Sequence, residues 1–151
     1  MKHPAWVLDF GNGRRAAVAH SQQLHLELAP KVLPMLLAPR SARHLLLWNE
    51  HCLPVLDFGA WCDQGAGADE STARGLLSVY AYAGKDGTHR LGALWLAQAP
   101  VRVDVDDARA CELPQQLEQW RGLCTACFDD ERFGAVPIVD LSRIFETPQA
   151  H

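Results

Sequence analysis

Two short segments of the chain follow one pattern, and that pattern constrains the fold more than any other feature. Leu53-Pro54-Val55-Leu56-Asp57-Phe58 and Val136-Pro137-Ile138-Val139-Asp140-Leu141 each place an apolar strand around a proline at the same position, then an aspartate suited to cap a helix, then an amphipathic turn. Phe58, Trp61 and Cys62 supply the i, i+3, i+4 apolar face after the first aspartate, and Leu141, Ile144 and Phe145 supply it after the second. Each half of the chain also opens with a glycine-containing hairpin. In the first, Ala5 to Phe10 turns at Gly11-Asn12-Gly13 and returns along Arg14 to Ala19, with Trp6, Leu8 and Phe10 on one side. In the second, Leu76 to Ala83 turns at Gly84-Lys85-Asp86-Gly87 and returns along Thr88 to Leu96. The repetition implies a duplicated β-unit.

The remaining segments fit short strands. Prolines at 30, 34 and 39 lack an N–H and push their predecessors out of the helical region, so no long helix fits there. Leu45 to Trp48 and Leu53 to Leu56 form a strand pair across Asn49-Glu50-His51, and Val101, Val103 and Val105 alternate with Arg102 and Asp104 as in a strand with one wet face. Leu113, Leu117 and Trp120 allow one short helical segment between Pro114 and Gly122, and Leu123 to Phe128 pairs with Phe133 to Val139. Residues 63–74 carry no large apolar side chain and read as a loop. With about five strands per half, the cheapest closure is a small barrel, which removes exposed edges. The expected fold is all-β: two five-stranded barrels packed side by side with short helical turns. Subdomain one covers about 5–62, the loop 63–74, and subdomain two about 75–146 of a single 1–151 domain. Half of a 151-residue chain is near the lower limit of independent stability, so the two units should share a core.

Composition narrows the function. With 18 Asp and Glu against 14 Lys and Arg, the chain offers little to a phosphate backbone, which speaks against nucleic acid. No run approaches the ~20 apolar residues of a membrane span, and Met1-Lys2-His3-Pro4 leads into a strand pattern without a secretory stretch, so a cytoplasmic protein with no membrane insertion is expected. The five cysteines are odd in number and scattered, consistent with reduced, mostly buried thiols.

Two enzyme or cofactor readings compete with a binding module. Gly11-Asn12-Gly13-Arg14-Arg15-Ala16 matches the G-x-G-x-x-A dinucleotide pattern, with Glu27 a suitable distance on to meet a ribose; it requires a helix from Arg14 and a parallel strand beyond. Cys124 and Cys127 have the spacing of half a metal site or a redox pair, but residues three apart in a regular strand point to opposite faces. The seven histidines form no helical pair, and the acidic groups at Asp104-Asp106-Asp107 and Asp129-Asp130-Glu131 lack calcium-loop spacing. No metal, cofactor or catalytic residue is therefore expected, and the chain is read as non-enzymatic. Trp120 beside Arg121 is a candidate interface anchor, because exposed Trp and Arg concentrate binding energy.

From Ala38 to Asp57 the stretch APRSARHLLLWNEHCLPVLD resembles, without a gap, the CheW-like family segment that runs from an Ala-Pro or Thr-Pro pair through an Asn-Leu-Arg-Gly turn to a Pro-Val-Val-Asp strand. Leu91-Gly92-Ala93-Leu94 is similar to the family's Gly-Leu-Ile-Val strand, Gly122 to its Ile-x-Gly turn, and Pro137 to Leu141 to its Leu-Leu-Asp-Leu ending. The resemblance implies two SH3-like five-stranded subdomains. It also implies a chemosensory adaptor that docks, through opposite surfaces, the regulatory domain of a CheA-like histidine kinase and the cytoplasmic tip of a chemoreceptor, at polar arrays. The family's turn Arg falls at Asn49 and its Gly at Glu50, which marks a divergent member in a specialised pathway such as twitching motility. By the same resemblance, protein contacts are expected at Asn49, Glu50 and His51, and at Leu24, Glu27 and Leu28, where the family has a Val-x-Glu-Ile stretch near its receptor groove.

Overall fold

The computed structural model describes residues 2–28, 30–34, 44–58 and 75–146. Among the described residues, eleven strands are interspersed with three 3-10 segments and followed by one helix: β1 (Lys2–Gly11), β2 (Arg14–Ala19), β3 (Gln23–Glu27), β4 (Val32–Pro34), β5 (His44–Trp48), β6 (His51–Leu56), β7 (Leu76–Ala83), β8 (His89–Leu96), β9 (Gln98–Asp106), β10 (Cys124–Asp130), β11 (Gly134–Val139) and α1 (Leu141–Glu146). The 3-10 segment Gln115–Leu123 starts after Pro114, as the sequence predicts for a short helical piece. Trp61, Cys62 and the 63–74 loop lie outside the described residues.

The strands form a five-stranded sheet, β10-β11-β2-β1-β9, and a six-stranded sheet, β3-β7-β8-β6-β5-β4. The sixth strand exceeds the expected five: β4 adds an edge through Val32↔Leu46 and Pro34↔His44. Both sheets curl back on themselves. In the larger one, the His25 ring of β3 stacks on Trp48 of β5 at 5.9 Å. In the smaller one, a bridge between Ala110 and Phe128 joins the segment after β9 to β10.

The chain does not divide between the sheets at residues 63–74. The smaller sheet takes β1 and β2 from the first half and β9 to β11 from the second, and the larger takes β3 to β6 and β7 to β8. The two repeated segments make this exchange. Val55 pairs in parallel with Ala93 of the second half's hairpin, and Ile138, the equivalent position, pairs in parallel with Ala17 of the first half's hairpin. Each proline segment thus completes the other half's hairpin.

Period-two alternation distributes the apolar side chains among three cores. Ala5, Val7, Ala17, Val103, Phe128 and Val136 fill the smaller barrel. Leu46, Leu53, Val55, Leu77, Val79 and Trp95 fill the larger one. The alternate residues of the same strands, Leu8 and Phe10 on one sheet and Tyr80, Leu94 and Leu96 on the other, meet in a third layer with Trp120 and Ile144. Helix α1 closes this layer. Asp140 accepts from the Ser142 N–H at 3.0 Å, the expected cap, and Phe145 stacks on Tyr82 at 5.2 Å. Glu146 then meets Arg90 at 3.3 Å, tying the helix end to the β7–β8 hairpin.

Gly92 provides the space for Phe145: a Cβ at this position would lie 2.6 Å from the ring. Gly92→Ala is expected to lower stability by about 1–2 kcal/mol through overpacking, read as a lower urea midpoint with unchanged slope. A change below about 0.3 kcal/mol would mean that the ring moves aside freely.

Candidate functional site

The β1–β2 connection decides the dinucleotide reading. Asn12 and Gly13 have φ of 57° and 76°, the left-handed pair of a tight hairpin turn, and Arg14 opens strand β2, antiparallel to β1, where a phosphate-binding helix would be needed. Glu27 lies on β3 and holds His25 at 3.1 Å.

The expected docking residues separate into three places. Leu24 and Leu28, on and just beyond β3, are 48% and 70% exposed, so they are no part of a core. Strand β3 is an edge of its sheet, bonded only to β7 among the described strands. The Asn49-Glu50 turn stands nearby, because the His25–Trp48 contact draws β3 against the end of β5, and Trp48 pairs with His51 across the turn. The contact brings β3, which carries Leu24 and Glu27, close to the strand that leads into the Asn49-Glu50-His51 turn.

Trp120 is a correction. It is 1% exposed, set edge-on against Phe58 at 5.0 Å and Phe10 at 6.5 Å, and belongs to the layer between the barrels. A side chain enclosed by both sheets cannot anchor a partner. Arg121 does face solvent, where it donates to both carboxylate oxygens of Glu118 at 2.6 and 2.8 Å and holds that carboxyl below its ordinary value. An exposed pair of this kind contributes little to stability.

The sequence reading missed Leu33 and Leu47, which are 46% and 50% exposed. The run Leu45-Leu46-Leu47 looks uniformly buried, yet only Leu46 points inward, opposite Val32 and Leu53. Leu33 faces Leu45, Leu45 faces Pro54, and Leu47 faces Cys52, so the outward side of β4, β5 and β6 is an apolar strip. The register was the missing signal.

The turn itself is strained. Asn49 and Glu50 have φ of 47° and 66°, the left-handed region, which asparagine tolerates and a longer side chain resists. Glu50→Gly should raise stability by about 0.5–1 kcal/mol, measured as a higher urea midpoint; a loss of stability would show that the Glu50 side chain makes a compensating contact.

Cysteine placement also departs from expectation. Of the four described cysteines only Cys127 is buried; Cys52 is exposed, and Cys111 and Cys124 are half-buried. A register shift between Cys124 and Ala126 in β10 changes the strand parity, so Cys124 and Cys127 line one small cavity in spite of their spacing. Among the described residues, no group of three or more His, Cys, Asp and Glu could hold a metal ion. The acidic clusters border a cleft of about 460 Å³ that also contains Arg102, Arg109 and Arg132, with Arg109 on Glu131 at 2.8 Å.

No protein-family model and no curated protein sequence matches the chain. Among solved structures, the scaffolding protein TtCheW from Thermoanaerobacter tengcongensis is similar over 97% of this chain and 94% of its own, with a TM-score of 0.72 and 11% identity. The exchanged, two-sheet, all-β architecture described above is thus the fold of a CheW-type scaffolding protein.

Proposed function

We propose that this protein is a non-catalytic adaptor in bacterial chemosensory signalling, holding the regulatory domain of a CheA-like histidine kinase against the cytoplasmic tip of a chemoreceptor. The observation that carries this reading is the set of exposed leucines, Leu24, Leu28, Leu33 and Leu47, on one barrel of a fold shared with a scaffolding protein. Apolar side chains left in water on a small protein mark a place where another protein excludes that water. In this reading the β5–β6 turn, with Asn49, Glu50 and His51, meets the kinase domain, and the β3 edge, with Glu27 between Leu24 and Leu28, meets the receptor.

Because β3 and β5 meet through His25 and Trp48, the two partners would dock close to one another, and coupling would arise from contacts that differ between kinase states. Asn49 and Glu50 stand where the resembling family has Arg and Gly, which supports a partner in a specialised pathway such as twitching motility. No helix among the described residues is long and apolar enough to cross a membrane, which is compatible with a cytoplasmic protein recruited to polar arrays.

Calorimetric titration with the isolated regulatory domain of a chemosensory kinase from the same organism tests the reading. Saturable heat with a Kd near micromolar, about −8 kcal/mol, is the expected result. Absence of both heat and co-elution would remove the kinase from the proposal.

A further inference from the structure

We infer that Cys111 and Cys127 form a reversible disulfide, a peroxide-responsive staple that fastens the segment after β9 to β10. The inference does not depend on which partners the protein binds.

The backbone sets the pair opposite one another. Ala110 bridges Phe128, and the Cys111 N–H donates to the Cys127 carbonyl at 2.9 Å. Their sulfurs are 3.5 Å apart, so only a small side-chain movement separates this contact from a bond of about 2.05 Å. A cavity of about 170 Å³, bordered by Leu113, Arg121, Cys124 and Thr125 as well as the two cysteines, gives a small oxidant access.

The two thiols are unequal. Burial, the hydrogen bond with Cys111 and the nearby Cys124 push the Cys127 thiol up to about 12, and burial pushes Cys124 up to about 11. Cys111, the less buried of the two, meets the oxidant first, and buried Cys127 is the resolving thiol. The oxidant is hydrogen peroxide. The Cys111 sulfur attacks one peroxide oxygen, an S–O bond forms as O–O breaks, and the second oxygen leaves as water with the thiol proton. The Cys127 sulfur then attacks Cys111, S–S forms as S–O breaks, and the hydroxyl leaves as water with the second thiol proton. Two thiols lose two electrons, and one peroxide becomes two waters.

The linkage closes a loop that contains the whole 3-10 segment Gln115–Leu123, and with it Trp120 and the Arg121–Glu118 pair. Oxidation would thus fix the part of the chain that plugs the layer between the barrels.

The test treats the full-length protein with hydrogen peroxide, blocks remaining thiols with iodoacetamide, and maps non-reduced peptides by mass. The expected result is a Cys111–Cys127 cross-link, with exposed Cys52 as an alkylatable reference, a Tm raised by about 5–10 °C, and full reversal by dithiothreitol. Cys111→Ser, a change at a half-buried position, should abolish both the cross-link and the shift. Pairing of Cys124 with either sulfur, over-oxidation of Cys111 without a cross-link, or alkylation of both Cys111 and Cys127 after treatment would overturn the inference.

Discussion

Trp120→Ala lowers the stability of the folded protein by about 3–5 kcal/mol, with a fall in Tm on the order of 10 °C. The side chain is 1% exposed, and its neighbours come from everywhere in the fold: Phe10 from β1, Phe58 from the end of the first proline segment, and the surrounding Leu8, Tyr80, Leu96 and Ile144 from both sheets and α1. Truncation leaves a cavity that no single element can collapse into, because the walls are held by two separate hydrogen-bonded sheets. Urea denaturation followed by far-ultraviolet circular dichroism reads the change directly. Arg121→Ala, one residue along, should stay within about 0.5 kcal/mol of the parent, since its contact is an exposed ion pair. A Trp120→Ala penalty below about 1 kcal/mol would return this residue to the surface and restore it as an interface candidate.

The second expected result concerns binding. Under the proposed docking, the double substitution Leu24→Asp and Leu28→Asp is expected to weaken association with the receptor tip at least about tenfold, or about 1.4 kcal/mol, while leaving the urea midpoint nearly unchanged. Both side chains are substantially exposed in the free protein, so a carboxylate there costs little until a partner tries to cover it. Burial of an unpaired charge in the complex then opposes docking. The same titration with Leu47→Asp separates the two regions: loss of kinase binding with intact receptor binding is expected. If neither substitution changes any partner's affinity, the exposed leucines are not the docking surface.

Local geometry was legible in the sequence, and long-range pairing was not. The hairpins at Gly11-Asn12-Gly13 and Gly84 to Gly87, the Asn49-Glu50 turn and the Asp140 cap depend on residues within a few positions of one another. The partner of a proline segment does not, and the two rhyming stretches could be recognised as equivalent without revealing that each one pairs with the opposite hairpin. Faces were harder than strands. Leu45-Leu46-Leu47 offers no alternation from which to read an outward side, and the register shift at Cys124 to Ala126 reversed the face that simple spacing assigned to Cys127. Trp120 misled for a related reason: a tryptophan beside an arginine looks alike in sequence whether the ring faces a partner or another barrel. Glu27 was expected only as a protein contact by family likeness, and its neighbour His25, whose ring stacks on Trp48, carried no signal of its own.

The crossing of the proline segments has a consequence for how the protein is made. The β1–β2 hairpin leaves the ribosome before the other described strands, yet its parallel neighbour Ile138 and the remaining strands of its sheet follow about eighty or more residues later. The six-stranded sheet can assemble from β3 to β8 while synthesis continues, and the nascent hairpin must wait beside it with Leu8 and Phe10 uncovered or resting on that sheet. Such distant pairing slows the final step and lengthens exposure of an unpaired edge. Newly synthesised chains interrupted before β10 should accordingly be sticky, and two of them side by side could trade hairpins through the same contacts that the finished protein makes with itself.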